Sequence, residues 1–245
     1  LSHIVCFAVT ANPGMALLSL LSKLGAGADI VSGGELFRAL KAGMNPRRIV
    51  YSGVGKTTSE MEQALDADIL MFNIESFQEL EVLDAVAGRK GVKARISLRV
   101  NPDVDPKTHP YVATGLKTSK FGIGVDSALE VYERAAKLAN IDVVGVDCHI
   151  GSQLTELGPF IESVKRMSEL TKELKKRGFD IRYLDLGGGL GITYDAEEPP
   201  TPHEYGQAIR KELDGADTTL ILEPGRNIIG NVGILLTRVL YTKES

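Results

Sequence analysis

Eight short runs of β-branched and other apolar residues recur along this chain, with helix-patterned segments between them. The runs are residues 4–9, 29–32, 49–52, 69–72, 94–100, 143–150, 182–186 and 220–222. Segments such as MALLSLLSKLG, GELFRALKAG, SFQELEVLDAVAG, SALEVYERAAKLAN and PFIESVKRMSELTKELKKRG repeat apolar residues at three and four, the helical period. Several close on a glycine (Gly25, Gly43, Gly88, Gly178), as helix C-termini often do. Strands that alternate with helices pair in parallel through right-handed crossovers. Eight such units predict an α/β fold closed into a (β/α)8 TIM-type barrel, with an open doubly wound sheet as the alternative. A barrel of this kind takes about 250 residues. The chain has 245, so residues 1–245 read as one domain. The connection from Asn101 to Ser127 is too long for a simple turn, and long loops in compact domains are usually functional or mobile.

Charge and composition exclude several classes. The 28 basic and 32 acidic residues give a net charge of −4 and are interspersed, without the basic stripe of a nucleic-acid binder. There is no apolar run of about 20 residues to cross a membrane, and no signal peptide. Cys6 and Cys148 sit in apolar runs and read as buried free thiols of a cytoplasmic protein. The chain begins at Leu1 and stops just after a strand-like run, VGILLTRVLYTKES, so it reads as a piece of a longer protein.

A barrel gathers its reactive groups where the strands end. Those positions hold Thr10 and Asn12, Ser32 and Gly33, Gly53, Asn73, Asn101, His149 and Ser152, Gly187 to Gly189, and Glu223 to Arg226. LDLGGGLGITY, residues 184–194, is the strongest local signal. Its three consecutive glycines allow backbone N–H groups to approach an anion, and barrels commonly bind phosphate after strands seven and eight. The bland alternative is a tight strand-to-helix turn. The glycines miss the G-x-G-x-x-G dinucleotide frame, because Ile192 stands at its last position. SGVGKTTSE, residues 52–60, misses the nucleotide P-loop frame, because Val50 stands where the first glycine belongs.

LILEPGRNIIGN, residues 220–231, puts Glu223 at the end of the eighth strand, with Arg226 three residues on. A carboxylate there is costly unless paired. Either the two form a structural ion pair, or Glu223 faces a cationic ring nitrogen while Arg226 grips an anion. VDCHIGSQ, residues 146–153, sets His149 near the end of the sixth strand beside Gly151 and Ser152. A lone histidine is more often a satisfied core group; the neighbouring signals favour a site. His3, His109 and His203 have no comparable setting. No zinc-ligand spacing occurs, so no metal is expected, and there is no G-x-S-x-G elbow.

FAVTANP, GAGADIVSGGEL, IVYSGVGKT, HPYVATGLKTSKFGIG, CHIGSQ, LDLGGGLGI and EPGRNIIGN follow one another along the chain. In content and order they resemble the fold-type III pyridoxal 5′-phosphate (PLP) decarboxylases, most closely the diaminopimelate decarboxylases. The resemblance spans essentially the whole chain, but only the family's alanine racemase-like barrel domain and not its C-terminal β-domain. It implies a PLP-dependent carboxy-lyase of lysine biosynthesis, turning meso-diaminopimelate into L-lysine and CO2, and a homodimer. Arginine, ornithine and carboxynorspermidine decarboxylases share part of the wording, and a single-barrel PLP-binding protein without catalysis is the rival of a different class.

The resemblance also implies roles. His149 would stack on the cofactor ring. Ser152 and the backbone of Gly187, Gly188 and Gly189 would hold the phosphate. In the stretch Glu223-Pro224-Gly225-Arg226, Glu223 would face the ring nitrogen and Arg226 would touch phosphate or a substrate carboxylate. Asp29 and Arg99 align with family residues near the cofactor. The family's cofactor lysine stands at the place of Thr10. Threonine has no amine, although its β-branched side chain suits the end of a strand. The chain is therefore expected to bind PLP non-covalently at most, and to be inactive.

Overall fold

The computed structural model describes residues 1–105, 121–234 and 236–244. Its strands are β1 (His3–Ala8), β2 (Gly27–Ile30), β3 (Ile49–Tyr51), β4 (Met71–Ile74), β5 (Ala94–Asn101), β6 (Ile123–Gly124), β7 (Ile141–Asp147), β8 (Tyr183–Asp185) and β9 (Thr219–Leu222). Hydrogen bonding runs β4-β3-β2-β1-β9-β8-β7-β5, and β4 also pairs with β5. Eight parallel strands therefore close into a barrel, and the open-sheet alternative is excluded. β6 is a two-residue addition beside the mouth end of β5, with Val100 opposite Ile123. It lies in the long connection marked by the sequence. His109 and most of HPYVATGLKTSKFGIG lie outside the described residues.

The helices are α1 (Met15–Lys23), α2 (Gly33–Lys41), α3 (Thr58–Asp66), α4 (Phe77–Lys90), α5 (Val125–Ala135), α6 (Gly158–Lys176), α7 (Pro202–Glu212) and α8 (Arg226–Ile229). Their starts are written in the sequence. Ser32 accepts from Glu35 N–H and Ser76 from Glu79 N–H, while Thr57 with Glu60 and Thr201 with Glu204 form capping boxes. Gly25, Gly43 and Gly178 follow their helices with φ near +90°. Gly88 does not end its helix: α4 runs on to Lys90, and Gly91 at φ +66° terminates it. A side chain at position 88 would instead strike the Asn140 amide.

Two apolar layers hold the fold. The larger packs helices against the outside of the barrel, with Leu36, Met61, Leu80, Leu83, Met167 and Leu174 buried there. The smaller fills the lumen with Cys6, Val50, Leu70, Met71, Val144 and Ile221. Cys6 and Cys148 are both free and buried. The VGILLTRVLYTKES run forms no strand among its described residues, and Ile234 is 95% exposed. A closed barrel offers it no free edge with which to pair. No helix among the described residues is long and apolar enough to cross a membrane.

Candidate functional site

Side chains on one strand return to the same face every two residues. One step of two from the lumen layer towards the strand ends changes its chemistry. Val50 leads to Ser52, Met71 to Asn73, Tyr183 to Asp185 and Ile221 to Glu223. Asp29 joins them because β2 pairs Asp29 with Ala8 on one side and Val50 on the other. On β5 and β7 the register slips by one: Ile96 faces Val143, but Ser97 faces Gly145 and Arg99 faces Asp147. That irregularity brings Asp147 to the cavity although its spacing from lumen-facing Val144 is odd. The result is a cavity of about 880 Å³ at the C-terminal mouth, lined by Thr10, Asp29, Arg99, Asp147, His149 and Glu223 among others.

The floor of this cavity is acidic. Asp147, Asp185 and Glu223 each place a carboxylate oxygen within 4.8 Å of the others. Of these three acids only Glu223 is marked in the sequence analysis; the signal for the other two is the inward parity of single acids in apolar strands, which the β7 slip hides for Asp147. Asn73 Nδ2 donates to Asp185 Oδ2 at 3.3 Å and to Glu223 Oε1 at 3.2 Å. Ser52 Oγ donates to Glu223 Oε1 at 3.5 Å, and Gly187 N–H donates to Asp185 Oδ1 at 3.0 Å. The neighbouring cation, Arg99, is ion-paired with Glu75 at 2.6 Å. Burial, then mutual repulsion, raises the Glu223 and Asp147 carboxyls well above the usual range. Burial also lifts Asp185 to about 6 and Asp29 to about 7. Asp29 Oδ1 and Asp147 Oδ1 are buried without a hydrogen-bond partner.

The rim carries the other sequence-marked groups. Strand β1 stops at Ala8, so Thr10 sits in a single 3-10 turn, Val9–Ala11, rather than at a strand end. Ala8 N–H is drawn to Pro224 O at 3.2 Å, which turns the chain there. Thr10 still lines the cavity, together with Ser152, Gly187 to Gly189 and Glu223 to Arg226. The triple glycine is needed for close packing. A Cβ at Gly187 would sit 2.6 Å from His149 Nδ1, one at Gly188 would drive into the Glu223 carbonyl, and one at Gly189 into that of Gly151. Gly188 N–H donates to His149 Nδ1 at 3.1 Å, so the imidazole carries any neutral-form proton on Nε2. Burial and then the Arg99 charge push the His149 pKa down to about 3, leaving a neutral ring. Arg226 does not ion-pair with Glu223 among the described contacts. Its guanidinium donates to Tyr194 Oη at 2.6 Å, and Glu223 turns inward to Ser52 and Asn73.

Lys56 of the broken P-loop frame has a structural role. Its ammonium is fully buried and donates to Gly53 O, Asn73 O and Glu79 Oε1 at 2.7–2.8 Å. It does not line the cavity, and among the described lining residues there is no lysine.

A closed parallel barrel with polar groups converging at its C-terminal mouth belongs to the class that binds ligands and does chemistry there. Residues 2–230 match the family model described as pyridoxal-dependent decarboxylase, pyridoxal binding domain, and the chain belongs to that family. It is 56% identical over 243 residues to diaminopimelate decarboxylase of Pseudomonas aeruginosa, covering 99% of this chain and 59% of that protein. The crystal structure of diaminopimelate decarboxylase from Helicobacter pylori complexed with L-lysine superposes with a TM-score of 0.94 at 49% identity, over 99% of this chain and 62% of that one. Lysine decarboxylase from Selenomonas ruminantium gives 0.80 at 26% identity, over 92% and 57%. The chain thus spans about three-fifths of the length of these relatives.

Proposed function

We propose that residues 1–245 are a single PLP-binding domain of a diaminopimelate decarboxylase, whose whole protein converts meso-diaminopimelate into L-lysine and CO2 in the cytoplasm as a homodimer. The observation that carries this reading is the junction of the two halves of the site. Glu223 N–H donates to Gly187 O at 2.8 Å, so the triple-glycine turn and the Glu223 carboxyl share one rim of one cavity. The higher identity to diaminopimelate decarboxylases than to a lysine decarboxylase favours the former over other amino-acid decarboxylases.

The donor set suits PLP. A cavity of about 880 Å³ lies in the size range of cofactor sites. Unpartnered buried carboxylate oxygens and a pair of raised acids suit a ring nitrogen that gains a proton. PLP, when bound, supplies an electron sink for the bond broken at the substrate α-carbon. Glu223 would hold the ring-nitrogen end, with Asp29 nearby. His149 would present an uncharged aromatic face. Gly187 and Gly188 have their N–H groups committed to Asp185 and His149, so they would shape the phosphate cradle while Ser152 and Gly189 donate to it. Arg226, on Gly225 after Pro224, would meet an anionic group of cofactor or substrate. Thr10 would leave the cofactor non-covalently held, and this chain without activity.

Adding PLP, reducing with borohydride and mapping the peptides tests this. The chain should bind PLP yet carry no adduct on residues 3–14, and Thr10→Lys should gain one there. An adduct on the unaltered peptide, or PLP held by Thr10→Lys without one, would overturn the assignment of position 10.

A further inference from the structure

We propose that Asn73 is a positioning residue: oriented by Ser97, it holds Glu223 and Asp185 as a proton-sharing pair and so gives the cavity its preference for a ring that contains nitrogen. This rests on the reading of the cavity as a PLP site. Asn73 is completely buried, at the mouth end of β4 and across the lumen from β8 and β9. Ser97 Oγ donates to Asn73 Oδ1 at 2.6 Å. That bond fixes which end of the amide points where. The oxygen is turned to β5, and both N–H bonds are left for the acids and for Ser52 Oγ at 3.2 Å. With the amide reversed, its oxygen would face two carboxyl groups.

The consequence is electrostatic. Two buried carboxyls this close do not both ionise without a cation beside them. One proton between them, with Nδ2 donating to each, leaves the pair at a single negative charge. Gly187 N–H anchors the Asp185 end. Glu223 would then give its proton to a ring nitrogen held beside it, its O–H bond breaking as the N–H bond forms, and its carboxylate would keep the Asn73 and Ser52 donors. A ring with carbon at that position can neither accept the proton nor pair with the carboxylate. Asn73 therefore acts on recognition of one ring atom, through Glu223, without touching the ligand.

The test compares PLP with its 1-deaza analogue, in which carbon replaces the ring nitrogen, by equilibrium titration of the 245-residue chain. The unaltered chain should bind PLP at least about tenfold more tightly than the analogue, the size of a charge-assisted hydrogen bond. Asn73→Ala should weaken PLP by about tenfold and the analogue by less than twofold, so the two affinities converge. Ser97→Ala, which removes one hydroxyl, should narrow the ratio in the same direction by a smaller factor. It decides the matter if Asn73→Ala loses cooperative unfolding. A merely structural role would weaken both ligands equally, and an unchanged ratio in the folded variants overturns this inference alone. No binding of PLP by the unaltered chain overturns the cavity reading and this inference with it.

Discussion

Asp29→Asn should make the protein more stable at pH 8 than at pH 5, relative to the parent. Asp29 is 8% exposed, and burial lifts its carboxyl to about 7, with Asp185 and Glu35 adding repulsion against the opposing Ser52 bond and Arg99 charge. In the unfolded chain an aspartate titrates near ~3.9. Its folded pKa is raised, so folding holds a proton that the unfolded chain releases. Stability from this group is full below about pH 4 and is lost as pH rises towards 7. Between pH 5 and pH 7 the loss is two pH units at about 1.4 kcal/mol each, or roughly 3 kcal/mol. The amide cannot ionise, so the variant escapes that loss. Burying an amide with few partners has its own cost of about 1–3 kcal/mol, but that cost is the same at both pH values and cancels in the difference. Urea unfolding of parent and variant at pH 5 and pH 8 gives the quantity directly. The stability change on mutation should shift by roughly 2–3 kcal/mol in the variant's favour between the two. An equal change at both pH values would show that Asp29 ionises as freely in the barrel as in water.

Other perturbations reach separate parts of the account. Lys56→Met should cost about 3–5 kcal/mol in urea unfolding, because Glu79 would lose its partner inside the fold; a loss under about 1 kcal/mol would refute the buried staple. Gly188→Ala should destabilise by about 1–3 kcal/mol or more, since its methyl group meets the Glu223 backbone, whereas Gly206→Ala in the open middle of α7 should stabilise by about 0.5–1 kcal/mol. Equal effects of the two would mean that the triple-glycine turn is not closely packed. The His149 ring, held neutral, should show no change of NMR shift from protonation between pH 5 and pH 8, and a midpoint near 6.5 would contradict its burial beside Arg99.

The sequence carried the barrel because period and punctuation agree there. Each of the eight runs that predicted the barrel has a strand whose ends lie within three residues of its own, and α1, α2 and α6 stop just before the glycines that marked them. Gly88 misled because a glycine inside a helix can serve packing, here against Asn140, as well as termination. The VGILLTRVLYTKES run misled, its described residues forming no strand, because β-branched content marks a strand only where an edge is free to pair. At the site, the rim was legible from glycines and from motif wording. Of the acidic floor only Glu223, with its partner Asn73, was marked as a strand-end polar residue. Asp185 could have been found by stepping two residues from Tyr183, but Asp147 depends on the slip between β5 and β7, and Ser97 looks like an ordinary strand polar residue until the barrel closes.

A crystal of the chain soaked in PLP shows directly how the cofactor sits in the barrel mouth. The phosphate should lie between Ser152 and Gly189, the ring nitrogen at the Glu223 carboxyl, and no density should join the aldehyde carbon to Thr10. A cofactor bound elsewhere, or turned with its phosphate on the acidic floor, would contradict the account of this barrel mouth.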